Sequence, residues 1–276
     1  KFIHDCILIK DILVIGDLHI GYDEQYDGRA IFPRLQLEEI IEKLKDVFDF
    51  LRKNKVLIKK IVLLGDVKHD FGTITKIEWR ETLEFFSFLE KKLKKNLKQI
   101  NGKIIVIKGN HDNILKPISR KAGFKLVDYY KTSFKFDKRI IKKNCKICFL
   151  HGDRMFKQCL DSDILVLGHL HPAITLYDKY KSEKYKCFLK GIWKIKNMSK
   201  KVYILPSFSS ISFGYDLRDI DNKTVLDFLS VRILEKMNKE KKFFVVPNEV
   251  LKNFEVIIYN NKEKKEYNFG KLKKLL

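Results

Sequence analysis

The chain is 276 residues long, 45% hydrophobic and 33% charged, with a formal net charge of +22. That length can bury one large core or two small ones, and no apolar run approaches the roughly 18 residues that a membrane helix needs. The N-terminal "KFIHDC" lacks the pattern of a secretory leader. Five cysteines, an odd number, do not look like a disulfide framework, so the expectation is a reduced, cytoplasmic protein. Cys145-Lys-Ile-Cys148 stands alone, without a second pair at zinc-finger spacing. The basic balance suggests an anionic partner, nucleic acid first. Lysine far outnumbers arginine, however, which general lysine enrichment also explains.

In chain order, "CILIKDILVIGD" gives two apolar runs split by Lys10 and Asp11, a hairpin leading into a buried strand. Apolar residues at 37, 40, 41, 44, 47, 48 and 51 have helical spacing. "KKIVLLGD" is a short continuous apolar run, a second buried strand. "IEWRETLEFFSFLEKKLKKNL" returns to helical period and stops near Asn101-Gly102. "KIIVIKGN", "KICFLHGD" and "DILVLGH" are further buried strands. This alternation argues for an α/β layered fold. After Pro172, "ITLYDKY", "KCFLKGIW" and "KVYILPSF" read as strands added in antiparallel fashion. Tyr177 to Lys201 holds nine lysines against Asp178 and Glu183, a net of +7. It reads as a solvated hairpin or as a phosphate clamp beside the site. No repeat or linker divides residues 1–276, so a single domain is expected. Its motif core runs from 11 to 215, and a basic extension from about 234 to 276 is able to add a strand.

The buried strands end alike: apolar residues, then a glycine beside a metal-ligand type, which follows the glycine in four of the five and precedes it in "FLHGD". These ends supply Asp17 and His19, Asp66 and His69, then Asn110, His111 and Asp112, then His151, and finally His169 and His171. Six of the seven histidines lie there, and His4 falls outside. In a layered α/β sheet, ligands bind beyond the carboxyl ends of the strands, so five strands can aim these groups at one point. Carboxylate, amide oxygen and imidazole suit hard-to-borderline divalent ions. Eight or so donors suit a pair of ions about 3.5–4 Å apart. A lone "GD" or "GNHD" is also what a turn or cap would show. Pro172 directly after His171 restricts that residue to extended backbone, so residues 169 and 171 should point the same way.

The series "GDLH", "GDVKH", "GNHD", "HGD" and "GHLH" resembles the calcineurin-like metallophosphoesterases. The resemblance implies a four-layer α-β-β-α sandwich of two mixed sheets with a dinuclear site. It places Asp17, His19, Asp66 and His171 on one ion, and Asp66, Asn110, His151 and His169 on the other. His111 would act at the leaving group, with Asp112 orienting it. The second motif, "GDVKHDFG", lacks the arginine of the phosphoprotein phosphatases. His69, three residues after Asp66, looks like the phosphate-contacting histidine of the SbcD-type nucleases. "GDLHIGY" with "GDVKH" is most similar to the archaeal SbcD-related phosphoesterases and the ligase-associated repair endonucleases, whose further capping domain this chain is too short to hold in full.

The function expected from the resemblance is a phosphodiesterase or nuclease acting on nucleic acid, with Mn²⁺ ahead of Fe²⁺, Zn²⁺, Ni²⁺ or Mg²⁺. The alternatives are a phosphoesterase for a small nucleotide and a non-catalytic nucleic-acid scaffold. No membrane contact is expected, and the oligomeric state stays open, a homodimer included.

Overall fold

The computed structural model describes residues 1–22, 35–70, 72, 74–96, 103–135, 144–221 and 244–276. The first half builds a six-stranded sheet. β1 (Phe2–Ile3), β2 (Cys6–Ile9) and β3 (Ile12–Ile15) form an antiparallel meander, turned at Lys10 and Asp11 as the split apolar runs require. Parallel neighbours follow: β4 (Lys60–Leu63), β5 (Lys103–Ile107) and β6 (Lys125–Val127). The connections carry α1 (Leu35–Lys53) and α2 (Lys76–Asn96), both on the expected helical spans. The expected stop at Asn101-Gly102 lies outside the described residues. The short α3 (Lys116–Ala122) precedes β6.

The chain changes sheets between β6 and β7 (Tyr129–Phe134), two strands that apolar pattern alone does not mark. β7 borders a second sheet with β8 (Cys145–Leu150) and β9 (Ile164–Leu167). β10 (Pro172–Tyr177) and β11 (Ser182–Lys186) form a hairpin in a separate three-stranded sheet with β14 (Tyr215–Asp216). β12 (Phe188–Ile195) and β13 (Met198–Ile204) return to the second sheet. After the four-residue α4 (Asn248–Leu251), β15 (Glu255–Asn260) and β16 (Lys265–Lys271) extend that sheet to seven strands, in the order β16-β15-β12-β13-β9-β8-β7.

Strand alternation sorts the core into layers. Ile12, Val14, Val62, Leu64, Ile105 and Ile107 of the first sheet face Ile147, Phe149 and Val166 of the second. Their neighbours Leu13, Ile15, Ile61, Leu63 and Val106 turn the other way and meet α1 and α2. Burial on both faces is why these strands read as continuous apolar runs. On the outer face of the second sheet, Leu165, Leu167, Val202 and Ile204 pack under β10, α4 and short helical turns among the described residues.

The cysteines depart from the expected reduced state at one point. Residues three apart on a strand point to opposite faces, so Cys145 and Cys148 cannot act as a pair. Cys148 is instead disulfide-bonded to Cys159, with Cα atoms 5.7 Å apart. Among the described residues no helix is long and apolar enough to cross a membrane.

Candidate metal centre

Asp17, Asp66 and Asn110 follow the parallel strands β3, β4 and β5, while His151 and His169 follow β8 and β9. All five strand ends meet at one edge of the sandwich. The loops there are laced by backbone hydrogen bonds. Leu18 and His19 both donate to the Asp66 carbonyl, at 3.0 and 2.8 Å, and Ile20 donates to Val67 at 2.9 Å. The segment after β13 closes from the other sheet: Phe208 N and Ser207 Oγ donate to the Asp17 carbonyl at 2.8 and 3.0 Å. Two glycines permit this density. A Cβ on Gly168 would sit 2.7 Å from Asp17 Oδ2, and one on Gly109 would strike Asp66 Oδ1.

The side chains form three overlapping groups. Ligand atoms of Asp17, His19, Asp66 and His171 lie within 4.8 Å of one another, as do those of Asp66, His151 and His169, and those of His19, His69 and His111. Asp66 belongs to both carboxylate-bearing groups. Its Oδ2 is 3.3 Å from His151 Nε2 and 3.9 Å from His19 Nε2. His171 Nε2 lies 3.3 Å from Asp17 Oδ1. Asn110 Oδ1 and His169 Nδ1 each approach His151 Nε2 at 2.9 Å. Asp17, Asp66, His151 and His169 are buried and form the floor. Asn110, His111, His69 and His171 form a half-open rim.

The electrostatics follow from this enclosure. Burial pushes the Asp17 and Asp66 carboxyls up, but facing imidazoles outweigh it and hold both below the usual carboxylate range. Burial alone would neutralise His151, yet the two aspartates raise it to about 10. Burial lowers His169 to about 3 and His69 to about 4, each helped by a neighbouring histidine. Both are therefore neutral imidazoles at physiological pH, the form that ligates metals.

The calcineurin-like phosphoesterase profile matches residues 10–191, well over half of the chain. The chain belongs to this family. As a calcineurin-like phosphoesterase it is a metal-dependent hydrolase of phosphoesters, and its cluster supplies the donor types that the family's dinuclear chemistry uses. Among solved structures, it is similar to the nuclease MPE of Pseudomonas putida, with 14% identity, 90% of this chain and 84% of that chain covered, and a TM-score of 0.48. A protein of unknown function, AQ665 from Aquifex aeolicus, is 19% identical over 61% of this chain and 81% of that chain, with a TM-score of 0.31. No curated protein matches.

Three expectations for this phosphoesterase change at close range. His169 and His171 are not on extended backbone. Both are left-handed, at φ 67° and 48°, as are His19 and Asp66 at 49° and 48°. The two histidines reach different groups through that bend rather than through strand alternation. Asp112 does not orient the His111 ring. Its buried carboxylate accepts from the amides of Gly109 and Val67, both at 3.0 Å, tying the β4 and β5 loops together. The His111 ring is set by the His69 carbonyl against its Nδ1. The β12–β13 part of the lysine-rich segment is also not a clamp on the site. β13 runs parallel to β9, so the β12–β13 turn lies at the opposite end of the sheet. Lys186 is spent on the Ser207 and Ser209 carbonyls, and Lys200 on those of Leu160 and Ser162.

Sequence reading missed two supporting residues. Gln36 is buried on α1, where its amide accepts from Gly21 N and Tyr22 N at 3.1 Å. It donates to the carbonyls of Leu18 and His19 at 3.3 and 2.8 Å, and to Ser209 Oγ at 3.0 Å. The available signal was a polar side chain one turn before Ile40 on the apolar stripe. Glu78, in the first turn of α2, accepts from the amides of His69 and Asp70 at 3.0 and 3.2 Å and so fixes the rim.

Proposed function

We propose that this phosphoesterase is a Mn²⁺-dependent phosphodiesterase that cleaves nucleic acid. The observation that carries the reading is Asp66, a buried carboxylate shared by two donor groups. Asp17, His19 and His171 would hold one ion with it, and Asn110, His151 and His169 the other. The mixture of carboxylate, amide oxygen and imidazole fits Mn²⁺. When bound, two such ions supply a nucleophile from water and neutralise charge on the phosphoryl oxygens. The chain's own part is positional and protonic. With Nδ1 donating to the His69 carbonyl, His111 presents Nε2 towards Asp66, 3.9 Å away. Burial lowers its pKa, so the proton it gives to a departing alkoxide must come from the imidazolium form, protonated at both nitrogens. His69, with its ring stacked on His111 at 5.4 Å, lies on the half-open rim and would contact the substrate phosphate there. The net charge of +22 favours a polyanion.

A second reading, a phosphodiesterase for a small nucleotide, is favoured by the distance of the β12–β13 turn from the cluster. Hydrolysis of bis-p-nitrophenyl phosphate with Mn²⁺, followed by single-stranded DNA, duplex DNA and cyclic nucleotides, decides between them. His111→Ala should lower turnover by roughly 10²–10⁴-fold while two ions per chain remain by elemental analysis. A wild-type protein that binds no divalent ion would sink the reading.

A further inference from the structure

A groove of about 460 Å³ lies between the β10–β11 hairpin and the β15–β16 ribbon, outside the metal centre. Its walls include Leu176, Tyr177, Tyr185, Ile258, Tyr267 and Phe269. Four of these are aromatic, and they stay open to solvent: Tyr177 is 67% exposed, Tyr185 38%, Tyr267 36% and Phe269 40%. Rings left this open in a chain with ample core are a recognition surface rather than packing.

The rim carries the charge. Lys181 is in the lining and Lys179 is beside it on the hairpin turn, while Lys262, Lys264 and Lys265 lie on the turn into β16. Arg218 already stacks its guanidinium over Tyr177 at 4.5 Å, and Lys265 places its ammonium 5.2 Å from the Tyr267 centroid. Three acids share this surface: Asp178 accepts from the Lys179 amide at 2.6 Å, Glu183 from the Tyr185 hydroxyl and Glu263 from the Tyr267 hydroxyl, so the basic border is the lysines of the two turns and Arg218.

Topology sets the groove on the same edge as the metal centre. β15 runs in the direction of β9, because each step through β12 reverses direction and β13 is parallel to β9. Ile257 pairs with Phe188, one residue before Leu189, which is level with Ile204 and Leu167. Ile258 and Asn260 therefore extend past the end of β9 towards the cluster's edge. Three strand spacings separate β15 from β9, about 14 Å. Also, β10 starts directly after His171 and runs about 20 Å to Tyr177 at 3.3 Å per residue.

We infer that this groove binds single-stranded nucleic acid, with unpaired bases stacked on the tyrosine and phenylalanine rings and the phosphates along the lysine rim. Ring stacking with a basic border is how single strands are held without sequence preference. A duplex hides its base faces and gains only the rim. The inference deepens the nucleic-acid reading above and rests on it only for the link from groove to cluster.

Anisotropy with fluorescein-labelled 12-mer oligothymidylate, in chelator so that nothing is cleaved, tests the groove alone. The double variant Tyr267→Ala/Phe269→Ala should weaken binding roughly tenfold or more, leave the affinity for a duplex of equal length unchanged, and keep the hydrolysis of bis-p-nitrophenyl phosphate. Tyr267→Phe should bind like wild type. Unchanged oligothymidylate affinity in the double variant, an equal loss for duplex, no oligothymidylate binding by wild type, or equally tight binding of polyglutamate would each overturn it. Wild type that binds oligothymidylate through the groove but hydrolyses no phosphodiester would instead overturn the catalytic reading and leave the groove standing.

Discussion

The two ends of the seven-stranded sheet differ in kind. At one end, β8 and β9 finish in His151, His169 and His171, packed against the aspartates of the first sheet. At the other, the β12–β13 turn carries Lys194, Lys196 and exposed Met198. Chemistry gathers where parallel strands end together, because several loops then share one edge. Charge gathers where antiparallel strands turn back alone.

Experiments can break or sharpen that contrast. Asp66→Asn should have the largest effect. It keeps an acceptor for the His111 amide, now 2.9 Å from Oδ1, but removes the shared negative charge. Activity should fall on the order of 10³-fold or more, and bound metal should drop below two per chain by elemental analysis. Gln36→Leu should come next. It strands the buried amide of Gly21, at a cost of about 1–3 kcal/mol in urea unfolding. The Mn²⁺ concentration for half-maximal activity should rise about 10–100-fold. A normal Mn²⁺ requirement in this variant would mean that Gln36 serves only packing. Lys194→Gln/Lys196→Gln should have the smallest effect, with turnover on bis-p-nitrophenyl phosphate unchanged. A loss there would mean that the far turn communicates with the cluster.

The sequence made the centre legible because every strand end carried one local frame, an apolar run with a glycine and a ligand-type residue side by side, His151 being the one that precedes its glycine. That frame identifies strand ends, and strand ends of parallel neighbours converge. What it does not carry is the path of the backbone beyond the glycine. Pro172 argued for an extended His171, yet both histidines are left-handed, with the His171 carbonyl accepting from Tyr215 N at 2.8 Å. Asp112 looked like a partner for His111 by adjacency, but its carboxylate is claimed by amides from another loop. Gln36 and Glu78 stayed hidden because single polar residues near a helix start look like ordinary first-turn chemistry. Cys159 gave no sign of pairing with Cys148, a contact across the outer layer that spacing along the chain does not encode.

Non-glycine residues in the left-handed region cost roughly 1–3 kcal/mol each, and four residues of the cluster adopt it. The ties that enforce those turns run between chain groups: amides to the Asp66 and Asp17 carbonyls, Gln36 to the His19 loop, and a dry core beneath. Folding is therefore expected to precede loading, the reverse of small zinc modules that are unfolded without their ion. The chelated protein should keep its far-ultraviolet circular dichroism and lose only the mass-action share of its melting temperature. Catalysis could then be switched off and on in one sample, by removing and returning the ions, without a refolding step.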